Sequence, residues 1–329
     1  MHKDYEVMGN RLITYNDGAV AKYCKDVGIT PEELTLKVVS AISNTYDIME
    51  PREAARISFQ KEVTRDTDIA ILTKLIGKSK GVSILDVGCN DGGLLRDRLR
   101  GMDGIKATLG IDVNEERIAQ NTKRVAENKG SIKYSEYYEV INCEAPNFVS
   151  KLQEAMKKYD IPSFDVIVLS MVLLHLGDVK KFLANLKSVC KPGTRIYIRD
   201  MNDATVVAKP DPEGIVPKIL EITSRSKYAG FRYCGGQVGE IATELGYKCA
   251  QIPETISTEG MNVLERALMF ETNYGFVEGD VQRAYNDNPK EFKEELKYIK
   301  EKLPVLEEMF GDDNFYYKMG TVVWVLVAP

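Results

Sequence analysis

Val82-Ser83-Ile84-Leu85-Asp86-Val87-Gly88-Cys89-Asn90-Asp91-Gly92-Gly93-Leu94-Leu95 decides how this chain folds. A short apolar, β-prone run, Val82 to Val87, carries an acid near its end and breaks into a glycine turn. Leu94, Leu95 and Leu99 beyond the turn share one helical face, so the reading is strand, tight loop, helix. Glycine at 88 and 92 lets the backbone turn sharply and approach a ligand with no Cβ in the way. The start of a helix presents backbone N–H groups without intrahelical partners. This is the geometry of a nucleotide site at the first βα turn of a doubly wound sheet.

Spacing and charge choose among nucleotides. A dinucleotide fingerprint reads G-x-G-x-x-G, its second glycine making room for a pyrophosphate. Here Asn90 stands at that second position, and Asp86 and Asp91 add carboxylates where a phosphate would be repelled. A ligand with a cationic centre and an amino-acid end fits better, and S-adenosylmethionine (SAM) is such a ligand. Ala107-Thr108-Leu109-Gly110-Ile111-Asp112 reads as the next strand, ending in a carboxylate suited to two ribose hydroxyls. Phe164 to Ser170 is a continuous apolar run of the kind found in buried parallel strands, and Leu186 leads through to Lys191-Pro192-Gly193. With these four pieces in order, roughly residues 60 to 205 resemble the class I SAM-dependent methyltransferases.

That resemblance implies a three-layer α/β sandwich with a seven-stranded, mostly parallel sheet whose last strand is antiparallel. It carries an N-terminal helical segment (1–62, a lid or a packing element) and a methyltransferase domain (63–329) with a helical insertion at 254–318. It also implies that SAM is bound by Asp86, Gly88, Cys89, Asn90 and Gly92 on the first loop and by Asp112 and Val113 after the second strand. Cys143 and Glu144 are expected after the third strand, Glu144 at the adenine amino group, and Ser170 and Met171 after the fourth. Arg56 and Gln60, just ahead of the sheet, are expected at the methionine end.

Composition bounds the alternatives. With 44% hydrophobic residues the 329-residue chain can build a substantial core, and no apolar run reaches the ~18 residues of a membrane span. Its net charge of −5 disfavours a nucleic-acid groove, which needs clustered Lys and Arg. The six cysteines (24, 89, 143, 190, 234 and 249) form no C-x-x-C, and two histidines make a His/Cys metal site improbable; no metal is expected. Met1 to Tyr5 lacks the apolar core of a signal peptide, so reduced thiols and a cytoplasmic location are expected. The composition leaves the oligomeric state open.

Along the chain, Thr30 and Pro31 open one predicted helix, and Glu53–Val63 and Thr67–Ile76 read as two more. Asn114 caps a polar helix running to Asn128. For the third strand, Ile132–Tyr134 and Glu139–Asn142 compete; the second is preferred because it puts Cys143-Glu144 at a carboxyl end. Thr194–Arg199, Tyr247–Ile252 and Gly320–Val327 are the last three strands. Residues 261–285 read as lacking any motif, whereas Pro289 to Met309 has helical spacing, with Phe292, Leu296, Ile299, Leu303, Leu306 and Phe310 on one face and Pro304 as an expected kink. This insertion is expected to roof an acceptor pocket together with the N-terminal segment, with Tyr228, Phe231, Tyr233 and Phe315 to Tyr317 available as pocket walls.

Methyl transfer from a sulfonium is an in-line displacement, so alignment and exclusion of water carry most of the catalysis. A proton must still leave an O–H or N–H nucleophile, and His175, beyond the fourth strand, is the expected general base. Arg199, with Asp200 at the end of the fifth strand, is the expected substrate contact. The function expected is methyl transfer to oxygen or nitrogen of a small molecule. The alternatives are a protein or peptide side-chain methyltransferase, a non-catalytic SAM-binding protein or partner subunit, and a NAD-dependent dehydrogenase disfavoured by the absent second glycine.

Overall fold

The computed structural model describes residues 51–127 and 132–329, with side chains from Phe59 onward. The predicted helix at Thr30-Pro31 and the side chain of Arg56 lie outside the described residues. Chain contacts divide the molecule into two units, described separately below: one of 65–204, 231–254 and 321–329, the other containing 205–230 and 255–320.

The first unit is an α/β sandwich. Its sheet runs in the order β3 (Ser135–Val140), β2 (Ile105–Asp112), β1 (Val82–Val87), β4 (Phe164–Ser170), β5 (Cys190–Met201), β9 (Thr321–Val327), β7 (Lys248–Ile252). The first five strands are parallel, and β9 runs antiparallel to both β5 and β7. Alternation along each strand sorts the core into two layers. Leu85, Val87, Leu109, Ile111, Ile167 and Leu169 face one side. They pack with Phe148 of α4 (Phe148–Lys158), Phe182 and Leu183 of α5 (Val179–Lys187), and Val238 of α7 (Cys234–Glu244). Ile84, Val166, Val168 and Tyr197 face the other side. They pack with Leu72 and Ile76 of α1 (Pro51–Ile76), Leu95 of α2 (Gly93–Arg98), and Leu99. A sheet covered on both faces is why β4 reads as an unbroken apolar run.

Two local expectations are corrected. The two helices expected at 53–63 and 67–76 are one, α1, since nothing between them breaks a helix. The third strand is Ser135–Val140 and not Glu139–Asn142. It is a sheet edge in register with β2 from Ala107↔Ser135 to Asp112↔Val140. An edge strand tolerates Glu136 because Arg96 pairs with it, Nε to Oε1 at 3.0 Å, and β-prone Tyr137 and Tyr138 outweigh the short apolar run that follows.

The second unit is mainly helical: α6 (Ile215–Ser224), α8 (Val263–Tyr274), α9 (Val277–Asp287) and α10 (Pro289–Gly311), with β6 (Val207–Lys209) paired antiparallel to β8 (Tyr316–Lys318). Residues 261–285, read as motif-free, contain a capping box: the Asn262 side chain accepts from Glu265 N, and the Glu265 carboxylate accepts from Asn262 N. The predicted α10 stripe is buried along its length. Phe310 meets Phe270, Tyr274, Phe315 and Tyr317 at centroid distances of 5.6, 6.0, 5.1 and 4.9 Å. Arg266 closes this cluster by donating to the carbonyls of Phe310 and Thr258 at 2.9 and 3.0 Å, and to that of Phe315. Phe310 and its neighbours are thus core of their own unit. Phe310→Ala is expected to cost about 3–5 kcal/mol; a urea midpoint within error of wild type would contradict that placement.

Candidate cofactor site

Parallel strands put all their carboxyl ends on one edge. The chain runs from β1 to β2 on one side and reaches β4 on the other, so the strand order reverses between β1 and β4, the switch point outside which open α/β sheets bind ligands. The ends that meet there are Gly88 after β1, Asp112 at the end of β2, the Asn142–Glu144 turn after β3 and Met171 after β4. Val87 lies level with Ile111 and with Leu169, which sets those ends side by side.

The glycine loop is held by β2. Gly88 N and Cys89 N donate to the Ile111 carbonyl at 2.8 and 3.1 Å. Gly88, Asn90 and Gly92 all have positive φ, at 68°, 48° and 62°. At Gly92 a Cβ would sit 2.2 Å from the Tyr138 hydroxyl, and at Gly88 one would sit 2.8 Å from Val172 Cγ2. These positions therefore need glycine for space as well as for conformation. Asp91 accepts from Gly93 N at 2.9 Å at the start of helix α2.

Asp112 is fixed by both carboxylate oxygens: Oδ2 accepts from Asn90 N at 2.9 Å and Oδ1 from Asn114 N at 3.0 Å. Each oxygen has a second lone pair, so a pre-oriented acceptor remains on each for a pair of vicinal hydroxyls. Val113 beside it is 60% exposed, an apolar side chain at the surface next to the acid. Asp86 is buried beneath the loop. Cys89 is buried too; its thiol is pushed up by burial and by the carboxylates of Asp86, Asp112 and Asp91, which keeps it neutral. The fit to SAM is therefore in the Asp112 acceptors, beside a loop whose glycines pack directly on Val172 and Tyr138.

The far wall is a turn, Leu173–His175, reached through Met171 at φ 56°. Asp200, 0% exposed at the end of β5, accepts from Val172 N and Leu173 N at 3.0 and 2.7 Å through Oδ2, while its Oδ1 accepts from Met201 N and the Cys234 thiol. Burial raises its pKa, and those N–H and S–H bonds oppose the rise. Glu144 accepts from Gly177 N at 2.7 Å, so it ties the β3 turn to the segment after His175 with one oxygen. Cys143, half-buried, is pushed up to about 11 by burial and by Glu144. His175 is exposed, and Ser170 and Met171 are half-buried.

The residues expected for the cofactor on the first loop, on β2 and after β3 and β4 thus converge on one edge. Gln60 is half-buried and belongs to the other unit. Arg199 is a correction: it is 1% exposed, and its guanidinium donates to Asp68 at 2.9 Å, to the Tyr197 hydroxyl at 3.0 Å and to both oxygens of Glu254, with Nη2–Oε1 at 2.8 Å. Asp68 in turn takes Arg98 at 2.9 Å. A guanidinium committed to this buried network is a structural knot and not a substrate contact.

Residues 85–196 match the family model described as "Methyltransferase domain". Over 144 residues the chain is 29% identical to the mitochondrial ubiquinone biosynthesis O-methyltransferase of Rattus norvegicus, covering 42% of this chain and 38% of that protein. Over 123 residues it is 27% identical to the ubiquinone biosynthesis O-methyltransferase of Coxiella burnetii, covering 37% of this chain and 45% of that protein. The chain therefore spans less than half the length of these two relatives. The solved structure of the YcgJ protein from Bacillus subtilis aligns with a TM-score of 0.46 at 13% identity, over 80% of this chain and 98% of that one. The stretch 85–196 runs from β1 into β5 and so contains the loop, Asp112 and the β4 turn: it belongs to the class I SAM-dependent methyltransferase domains, and SAM is the cofactor of that class. Among the described residues no helix is long and apolar enough to cross a membrane.

Proposed function

We propose that the chain is an enzyme that transfers a methyl group from SAM to an oxygen or nitrogen of a small molecule. The observation that carries the reading is the Asp112 carboxylate, held by two backbone N–H groups beside the Gly88–Gly92 loop. In this reading Asp112 takes the ribose hydroxyls, the loop with Gly88, Cys89, Asn90 and Gly92 borders the amino-acid end, and Val113 flanks the adenine. Glu144, with one oxygen on Gly177 N, keeps the other for the adenine amino group. The cofactor supplies an electrophilic methyl on a sulfonium, and the protein aligns the acceptor with it and excludes water. His175, exposed on the turn beyond β4, takes the proton that the acceptor loses. A small-molecule acceptor agrees with the names of the ubiquinone biosynthesis relatives above.

The test uses SAM labelled in its methyl group, incubated with the protein and a whole-cell extract. Label is expected in a new small-molecule product that chromatography separates from SAM and that is missing when the protein is omitted. Label confined to macromolecules would move the acceptor to a protein side chain, and the absence of any transfer would leave a SAM-binding protein. Once an acceptor is found, His175→Ala is expected to slow turnover by roughly 10²–10⁴ with SAM affinity held. A rate within a few-fold of wild type would reduce His175 to a wall of the site.

A further inference from the structure

The cofactor loop contains one residue that its backbone does not favour. Asn90 sits at φ 48°, where a side chain is crowded against the backbone, although Asn tolerates this better than most residues. Its N–H is held by Asp112 and its carbonyl accepts from Asn121 Nδ2 at 2.7 Å. The next carbonyl, that of Asp91, accepts from Arg124 Nη1 at 2.6 Å. Asn121 and Arg124 are three residues apart on helix α3 (Glu115–Glu127), and so lie on one face. Asn121 is 1% exposed, and Arg124 also reaches the Tyr138 hydroxyl at 3.5 Å, the group that packs under Gly92.

We infer that Asn121 and Arg124 are positioning residues for the cofactor: they clamp two consecutive loop peptides in the shape that meets SAM. The inference rests on the proposed SAM site. A trans peptide is planar, so fixing the Asn90 carbonyl toward α3 turns the Asp91 N–H to the opposite side of the loop. The same clamp steadies the Asn90 N–H on Asp112 Oδ2, coupling the loop to the ribose acid. Asn121 and Arg124 themselves need not touch the ligand. They replace by side-chain hydrogen bonds the conformational ease that a glycine at position 90 would supply.

Calorimetric titration with SAM tests this. Asn121→Ala is expected to weaken SAM binding about tenfold, as loss of one buried hydrogen bond to the loop implies. Arg124→Met, on a half-buried face, is expected to weaken it about fivefold, and it serves if the Asn121 variant does not fold. In an Asn90→Gly background the Asn121→Ala change should cost less than about threefold, because the clamp then has less strain to hold. A purely structural role would lower the melting temperature and leave the cost the same in both backgrounds. Folded variants that bind within twofold of wild type, or an equal loss in the Asn90→Gly background, would overturn the clamp while leaving the SAM site standing. A wild-type protein that takes up no SAM would instead overturn the site itself.

Discussion

Asp112→Ala is expected to weaken SAM binding by about 1.5–3 kcal/mol, the range for hydrogen bonds to a charged group. The variant loses the acceptors for the ribose hydroxyls. It also releases Asn90 N and Asn114 N, now held at 2.9 and 3.0 Å. Asp112→Asn separates the two effects, because an amide keeps one carbonyl oxygen but turns the other acceptor into a donor. It should fall between wild type and Asp112→Ala. Titration of each folded variant with SAM is the measurement, and an unchanged affinity for Asp112→Ala would remove the residue from the cofactor site.

Arg199→Met is expected to cost stability more than binding. Removing one member of a buried ion pair typically costs about 3–5 kcal/mol, because the partner charge is left without compensation. Here Glu254 loses both of its guanidinium bonds, while Asp68 keeps Arg98. The expected result is a clearly lower urea midpoint with SAM affinity per folded molecule retained. The opposite result, intact stability and lost turnover, would return Arg199 to the acceptor.

These two residues show what was legible in the sequence. The position of Asp112 at the end of β2 was readable because its signal is local: an apolar strand, an acid at its end, and a glycine loop one strand earlier. The strands β1 and β4 were readable for the same reason, each being a short run with the period and length of a buried strand. Arg199 was misread because its partners lie far along the chain, Asp68 by 131 residues and Glu254 by 55, and no local pattern announces them. Asp200 stood beside it with the opposite fate. Its carboxylate holds the turn that carries His175, a role visible only once β4 and β5 are paired. The third strand was missed by favouring hydrophobicity over β-propensity at a sheet edge. The capping box at Asn262 and Glu265 was a local signal that went unread, and with it the helix Val263–Tyr274. Asn121 and Arg124 carry no motif at all; their role follows from the side of α3 that faces the loop.

A crystal structure of the protein with S-adenosylhomocysteine tests the central claim most directly. Both ribose hydroxyls are expected within hydrogen-bond distance of Asp112, about 2.5–3.0 Å between oxygens, with the amino-acid end of the ligand against the Gly88–Gly92 loop. A ligand bound elsewhere, or a ribose that leaves Asp112 in contact only with Asn90 N and Asn114 N, would contradict it.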